Sequence, residues 1–369
     1  MRRALLRAVP ALVLVLGSTM SSTIDDASRA GAAASAPTNG RILFTHCEDP
    51  GGCQVYTANP DGSAVEQVTH GADSFQGDWS PDGERIAYVG TASGDTAIWI
   101  ADADGSHARQ LTPDDPASDD FGPRFTANGA WILFYNCLGE DCDGGISAIR
   151  PNGSGLHHVT PNSHLSYNLA DQSPDGSRMT YMRWHVGGVK MAVYVSSADG
   201  KRQRRITPPR LEGWAPDWSP NGDRIAFASY VYWDRPAPSL FTVRPDGSRL
   251  TALTHPPFPH SDFAPAYAPD GAKVVFASDR RYPDFCCSDL FVVPASGGPA
   301  RRVLLPFDAS DPRWGTAPLE PGSAGAGGSA ARSFTTGGPA CAHVPQLARV
   351  APCPAAPASP QIHQRGRAG

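Results

Sequence analysis

The chain has 369 residues, of which 38 are Gly and 36 are Pro, and only 18% carry a charged side chain. So many turn-forming residues exclude a long-helix protein or a coiled coil. The 40% hydrophobic content can fill a core, and the net charge of -5 comes from interspersed acids and bases, which excludes a broad basic face for nucleic acid. We therefore expect two ordinary domains or one large all-β domain, with no nucleic-acid partner.

The first 36 residues form a predicted leader. Arginines near Met1 precede an apolar run from Ala8 to Gly17, and small and polar residues follow it. This order is typical of a secretory signal peptide. The apolar run is too short to cross a bilayer as a helix, and no comparable run occurs later in the sequence. We assign residues 1–36 to a signal peptide and low-complexity leader, and we predict no membrane span.

An internal repeat occupies residues 37–315. Five turns follow the pattern Ser-Pro-Asp-Gly or a close variant, and their closing glycines lie 46 to 49 residues apart, at Gly83, Gly129, Gly176, Gly222 and Gly271. Ser, Pro and Gly at these positions favour a type I turn between two antiparallel strands. A short β-branched or aromatic run follows each turn, as expected for strands packed between neighbouring sheets. The repeat predicts six units of about four short strands each.

The two ends of the array complement each other. The first unit begins at the strand that follows a turn, residues 41–44, and lacks the strand before it. Ser310 to Trp314 supplies a segment of the missing type after the last unit. We predict that this segment completes the N-terminal blade, which closes the ring and leaves no free sheet edge at the junction. The predicted fold class is an all-β, six-bladed β-propeller.

The pattern x-Pro-x-Trp-Ser-Pro-Asp-Gly-x-Arg-Ile-Ala-Phe, seen with Asn221 in place of Asp from Pro216 to Phe227, resembles the WD40-like, TolB-type β-propeller repeat. The resemblance covers roughly residues 40–314. It implies architecture more than function, because similar blades serve as interaction scaffolds, as non-catalytic domains of prolyl peptidases and as the body of some lyases. No Gly-x-Ser-x-Gly motif accompanies it, so it does not imply peptidase activity. Residues 316–369, rich in Ala, Gly and Pro, are predicted to be a disordered tail.

Eight cysteines in an exported chain favour disulfide bonds. Two pairs are favoured because they occupy equivalent loops of blades one and three: Cys47 with Cys53, and Cys137 with Cys142. Two further pairs, in blade six and in the tail, stay open: Cys286 with Cys287, and Cys341 with Cys353. A metal cluster is the alternative, but the sequence has no Cys-x-x-Cys pair suited to tetrahedral zinc.

In four of the six units an acidic residue stands six positions before the last residue of the innermost strand, where that strand begins, and Ser166 and Ser261 take this position in the other two. With adjacent acids and loop histidines, the candidate binding residues at the channel mouth are Asp73, Asp119, Asp120, His164, Glu212, His260, Asp262 and Asp308. Such a ring could bind a divalent cation, a cationic peptide or, through a metal, an acidic sugar. Alternatively, the acids accept hydrogen bonds from adjacent blades and recur only because the structure repeats.

Three functional hypotheses fit these features. The leading one is a secreted or periplasmic monomer that holds a protein or peptide partner at one mouth of the propeller, without catalysis and without a required cofactor. The second is an extracellular polysaccharide lyase or hydrolase with a divalent cation held by the mouth loops. The third is a propeller with a structural role only. Partner capture and substrate turnover separate the first two hypotheses.

Overall fold

The computed structural model describes residues 37–48, 51–115, 118–138, 144–160, 165–185, 191–229, 239–282 and 287–321. All of these belong to the unit that begins at Pro37. The predicted leader, residues 1–36, lies outside the described residues. Within the described ranges every regular element is a β-strand. The same ranges hold no helix of the length and apolarity needed to span a membrane.

The strands form six four-stranded antiparallel sheets, which are the six predicted blades. Blade one contains β1 (Ile42–Glu48), β2 (Gly52–Ala58) and β3 (Glu66–Gln67). Blade two contains β4 (Ser74–Trp79), β5 (Arg85–Gly90), β6 (Ala97–Asp102) and β7 (Arg109–Gln110). Blade three contains β8 (Ser118–Phe125), β9 (Ile132–Leu138), β10 (Gly145–Ile149) and β11 (His157–His158).

The remaining blades repeat this order from the innermost strand outwards. Blade four contains β12 (Leu165–Gln172), β13 (Arg178–His185), β14 (Ala192–Ser197) and β15 (Arg204–Arg205). Blade five contains β16 (Trp214–Trp218), β17 (Ile225–Ala228), β18 (Leu240–Val243) and β19 (Thr251–Ala252). Blade six contains β20 (Asp262–Tyr267), β21 (Lys273–Ser278), β22 (Asp289–Pro294) and β23 (Arg301–Arg302). The last strand, β24 (Ser310–Trp314), joins blade one.

The Ser-Pro-Asp-Gly segments form the predicted turns between the first two strands of a blade. Ser80 accepts a hydrogen bond from the backbone N–H of Arg85 at 2.9 Å through its hydroxyl, and that hydroxyl donates to Asp82 at 2.5 Å. Gly83 closes the turn with a φ of 74° and donates its N–H to the Ser80 carbonyl at 2.8 Å. Ser173 and Ser219 make the same contacts in blades four and five. One short motif therefore folds locally in the same way in each of these blades.

The C-terminal strand closes the ring as predicted. β24 pairs antiparallel with β1, with Ile42 opposite Trp314 and Leu43 opposite Arg313. The pairing continues past the strands, because the Gly40 N–H donates to the Gly315 carbonyl at 2.9 Å. Ala317 is buried in the cluster that also contains Leu43, so the packed chain extends into the predicted tail, residues 316–369, whose part from residue 322 onwards lies outside the described residues.

The core lies between the blades. Leu133, Tyr167 and Tyr181 belong to a cluster shared by blades three and four, and Ile42 and Val275 to one shared by blades six and one. Contacts between innermost strands run from β4 through β8, β12, β16 and β20 to β24, and back to β4. This cycle surrounds a central channel, onto which the innermost strands face.

Candidate functional site

One face of the propeller carries the start of every innermost strand. In blade one, Ser310 at the start of β24 pairs with Thr45, close to the Cys47–Cys53 end of the β1–β2 hairpin. The hairpin between the second and third strands of a blade therefore lies on the same side as the start of its innermost strand. We call this side the mouth face, and the side with the Ser-Pro-Asp-Gly turns the turn face.

Asp73 and Asp119 each connect two adjacent blades on the mouth face. Asp73 lies just before β4 of blade two, and its Oδ1 accepts a hydrogen bond from the backbone N–H of Cys53 in blade one at 2.8 Å. Asp119 lies in β8 of blade three, and its Oδ1 accepts a hydrogen bond from the Thr96 hydroxyl of blade two at 2.6 Å. The contacts hold both half-buried carboxylates in fixed positions at the rim, as the structural alternative predicts.

Asp120 and Asp262 are buried behind this rim. Asp120 accepts a hydrogen bond from the side-chain amide of Asn136 at 2.8 Å, and burial raises its pKa to about 6. Asp262 is 1% exposed and accepts a hydrogen bond from Arg280 at 2.5 Å. His260 lies nearby, with Nδ1 at 3.5 Å from Asp279. The Asp120 carboxylate is therefore held by Asn136 of its own blade and by Thr112 of blade two, and the Asp262 carboxylate by Arg280 of its own blade.

Asp308 pairs with a residue outside the predicted set, His46 of β1. His46 Nδ1 lies 3.1 Å from Asp308 Oδ1 and 2.9 Å from the Asp308 carbonyl, and the imidazole stacks on Phe307 with ring centroids 4.0 Å apart. His46 Nε2 lies 3.5 Å from Glu48. Burial lowers the pKa of His46, but the hydrogen bonds and charge of Asp308 outweigh burial, so the pKa is raised.

The other predicted positions are only partly described. Glu212 is half-buried and precedes β16, whereas His164 lies outside the described residues. Among the ranges that the structure covers, no group of three or more His, Cys, Asp or Glu side chains is arranged to hold a metal ion. Among the described members of the predicted ring, Asp73, Asp119 and Asp308 make separate contacts at different blades.

The predicted Cys47–Cys53 disulfide is confirmed, and it joins opposed residues of β1 and β2 on the mouth face. Cys137, opposite Asp119, is also disulfide-bonded, while Cys142 lies outside the described residues. Cys287 is half-buried. The other predicted cysteines, Cys286, Cys341 and Cys353, are likewise outside the described residues.

A second set of residues occupies the innermost strands nearer the turn face, one position before the turn aromatic or, in blade four, before Gln172. We call it the channel ring, and its members are Asp78, Arg124, Asp171, Asp217, Ala266 and Arg313. Asp78 accepts the backbone N–H of Phe125 in the next blade at 2.8 Å. Asp171 and Asp217 do the same for the next blades, at 2.6 and 2.7 Å. The acids therefore accept hydrogen bonds from backbone N–H groups of the innermost strands, which would otherwise have no partner on the channel side of the sheet.

Burial dominates the electrostatics of the channel ring. It raises the pKa of Asp78 to about 6 and the pKa of Asp171 to about 7. Burial and the negative charge of Asp171 raise the pKa of Asp217 well above its usual range. The positive charge of Arg124 opposes the shift for each of these three acids, which is expected if its guanidinium lies among them.

A β-bulge lies between the mouth and the channel ring in every innermost strand. The register shifts there, and one residue has a left-handed backbone with φ between 47° and 58°: Gln76, Gly122, Leu169, Ala215, Ala264 and Asp311. Bulges redirect side chains and bend the strand. A left-handed non-glycine residue costs about 1 kcal/mol or more, so tertiary packing imposes the conformation.

Sequence reasoning missed the channel ring and the His46 cluster. The channel ring had a signal, because its members share one position relative to the turn aromatic or, in blade four, to Gln172. His46 had a weaker signal: alignment of the second strands places it where blades two and six have the small residues Gly90 and Ser278. No sequence pattern pointed to Glu48.

Comparison with solved structures identifies the fold. The chain resembles TolB from Acinetobacter baumannii with a TM-score of 0.61 and 20% identity, covering 76% of this chain and 67% of that chain. The fold is a TolB-like six-bladed β-propeller. This chain also resembles a chain of the nidogen/laminin complex, with a TM-score of 0.59 at 9% identity, covering 76% of this chain and 99% of that one.

Two curated proteins are also similar in sequence. A TolB homolog of Chlorobium luteolum is 30% identical over 131 residues, which is 35% of this chain and 27% of that protein. An uncharacterized protein of Agrobacterium fabrum is 24% identical over 187 residues, 48% of this chain and 61% of that protein. The chain therefore matches less than two thirds of the length of either relative. No protein-family model matches it.

Proposed function

We propose that this TolB-like propeller is an extracytoplasmic, non-catalytic scaffold that binds a protein or peptide segment at its mouth face. The observation that carries the proposal is the acidic rim: Asp73 and Asp119 are half-buried, and hydrogen bonds to the preceding blade hold both in place. Fixed carboxylates lower the ordering cost of binding and favour a cationic partner.

Three further features support the proposal. The Cys47–Cys53 disulfide and the predicted leader fit an oxidising, extracytoplasmic location. Pairing of β24 with β1 joins strands that are far apart in sequence and closes the propeller into a continuous ring, which supports the rim rigidly. A chain of the same fold takes part in the nidogen/laminin complex, which is an assembly between proteins.

Display selection of random peptides on the immobilised chain tests this function. Selected peptides should bind the parent and bind at least about fivefold more weakly to an Asp73→Asn, Asp119→Asn variant. Asparagine keeps a side-chain oxygen for the Cys53 and Thr96 donors, so the change removes charge while the hydrogen bonds persist. Glu84→Gln, an exposed position on the turn face, is the matched control.

Two outcomes contradict the proposal. One is that selected peptides bind the double variant and the parent equally well, which places their site away from the rim. The other is turnover of an acidic polysaccharide by the purified chain with a divalent cation, which favours the enzymatic hypothesis.

A further inference from the structure

A small cavity opens on the mouth face of blade one, outside the predicted ring of acids. Its volume is about 150 Å³, and His46, Glu48, Gly52, Gln54, Tyr56 and Gln67 line it. A cavity of this size admits a group as large as a benzene ring. The end of an extended side chain therefore fits inside it.

Internal hydrogen bonds hold the walls of this cavity. The Tyr56 hydroxyl donates to Gln67 Oε1 at 3.0 Å, and Gln67 Nε2 donates to the Thr69 carbonyl at 2.8 Å. Gln54 accepts a hydrogen bond from the Thr69 hydroxyl at 2.8 Å and donates to the Gly71 carbonyl at 3.2 Å. Both amides are thus engaged within the wall, and Glu48 is the charged group that the wall presents to solvent.

The charge of the cavity favours a cation. The Glu48 side chain is 69% exposed, whereas His46 is 6% exposed and has Asp308 on its other side at 3.1 Å. Two carboxylates therefore face one imidazole. Burial and the negative charge of Glu48 raise the pKa of Tyr56, which lines the same cavity. The Tyr56 ring adds an aromatic surface suited to an ammonium or guanidinium group.

The cavity lies next to Asp73 of the acidic rim. Gly52 lines it, and its neighbour Cys53 donates its N–H to Asp73 at 2.8 Å. Gly52 has a φ of 77°, and a side chain there would collide with the Asp73 carboxylate. A segment bound along the rim at Asp73 can therefore place one side chain in the cavity.

We propose that this cavity is the pocket for one lysine or arginine side chain of the segment that the mouth face binds. The assignment rests on the proposed function. It specifies the chemistry of the partner: a basic residue in an exposed segment, with its methylene groups against Tyr56 and its cationic end beside Glu48.

Capped pentapeptides of the form Gly-Gly-X-Gly-Gly test the pocket, with X as lysine, arginine or norleucine. Isothermal titration or NMR titration of the full chain should show that the lysine or arginine peptide binds about fivefold or more tighter than the norleucine peptide. Glu48→Gln should remove this preference, and Glu84→Gln on the turn face should leave it unchanged. Glu48 is exposed, so its replacement keeps the fold, which a melting curve verifies.

Equal binding of the norleucine and basic peptides overturns the assignment, as does an unchanged preference in Glu48→Gln or no binding of either basic peptide. The two proposals fail in different ways. If selected peptides require Asp73 and Asp119 but bind Glu48→Gln equally well, the pocket assignment is wrong and the scaffold function stands. If the lysine peptide binds in a manner that depends on Glu48 but no selected peptide binds the rim, the cation pocket stands and the scaffold function is wrong.

Discussion

Arg313 of β24 crosses the channel to Asp217 of β16, with Nη1 at 2.7 Å from Oδ1. The two residues belong to blades one and five, and the blade between them contributes the small Ala266 at the same level. Both side chains are largely buried, at 8% and 14% exposure. The ion pair therefore joins the C-terminal strand to a blade with which it forms no sheet.

Loss of this pair should destabilise the ring. Arg313→Met leaves the Asp217 carboxyl buried beside Asp171 without its cationic partner. Breaking a buried pair from one side costs about 3–5 kcal/mol at a pH above the raised pKa of Asp217, and less below it, where the carboxyl is protonated. Urea unfolding of the two single variants and of the double variant Arg313→Met, Asp217→Asn measures the coupling. Asparagine keeps an oxygen for the Tyr267 N–H, so the double variant should recover part of the loss. Additive losses in this cycle would contradict a direct ionic contact.

The channel acids predict a pH dependence of stability. The pKa values of Asp78 and Asp171 rise from 3.8 to about 6 and about 7 in the folded chain. Between pH 4 and 7 the folded state thus binds more protons than the unfolded state, so the free energy of unfolding should fall as pH rises. His46 acts in the same direction, because its raised pKa stabilises the folded state below the unfolded value of 6.5.

Urea unfolding at pH 5 and pH 7.5, at equal ionic strength, measures this slope. Asp171→Asn should reduce the difference between the two pH values, since the amide does not titrate and still accepts the Trp218 N–H. Acids with a lowered pKa, such as Asp175 at about 2, act below this window. A slope that is unchanged in Asp171→Asn would assign the pH dependence to other groups.

The segment after β24 should add measurable stability. The Arg41 N–H donates to the Ala317 carbonyl at 3.0 Å, the Thr316 hydroxyl donates to the Pro81 carbonyl at 3.0 Å, and Asn59 and Glu320 exchange two hydrogen bonds. A chain of residues 37–315 should be about 2–3 kcal/mol less stable than one of residues 37–321, after the entropy of ordering the segment is subtracted. Thermal unfolding compares them, and equal midpoints would show that these contacts add nothing.

Two glycines with positive φ should respond differently to alanine. At Gly105, with φ 85°, a Cβ would collide with the Val68 carbonyl oxygen of the preceding blade. At Gly122, with φ 58°, it would meet Leu169 Cδ2 at 3.3 Å, and the equivalent positions of the other blades already hold residues with side chains. Gly122→Ala should cost about 1 kcal/mol or less, and Gly105→Ala about 2–4 kcal/mol. Chemical denaturation ranks them, and the reverse order would contradict the geometry.

The Cys47–Cys53 disulfide closes a short loop, with a sequence separation of 6. Loop-closure entropy predicts a loss of about 2 kcal/mol when both cysteines become alanine. Thermal unfolding of this variant is more specific than reduction of the parent, because reduction also breaks the disulfide of Cys137. Mass spectrometry of the unreduced peptides checks the linkage directly, and a different partner for Cys47 would refute it.

The sequence alone predicts the architecture well because the repeated turns and strands are local signals. Ser80 and Gly83 form their turn from contacts within a few residues, and the same motif recurs along the chain. The assignment of Ser310 to Trp314 to blade one needed only the count of strands, and the pairing of Leu43 with Arg313 confirms it.

The mouth and the channel ring depend on contacts that no local pattern encodes. His46 and Asp308 lie 262 residues apart in the chain, and Asp217 and Arg313 lie 96 apart. The bulges share a backbone conformation but not a residue type, since Gln76 and Leu169 take the same φ of 52°. Their conformation follows from packing around the ring.

The closure by β24 also constrains how the protein is made. Trp314 donates its indole N–H to the Gly40 carbonyl across 274 residues of chain, so nearly the whole propeller is synthesised before blade one is complete. Until then β1 is paired only with β2, and its other edge is open to pairing with another nascent chain. Contacts this distant in sequence form slowly. The yield of folded protein in a cell should therefore depend on chaperones that shield β1. Slower translation after blade six should lengthen the time for which β1 needs this protection.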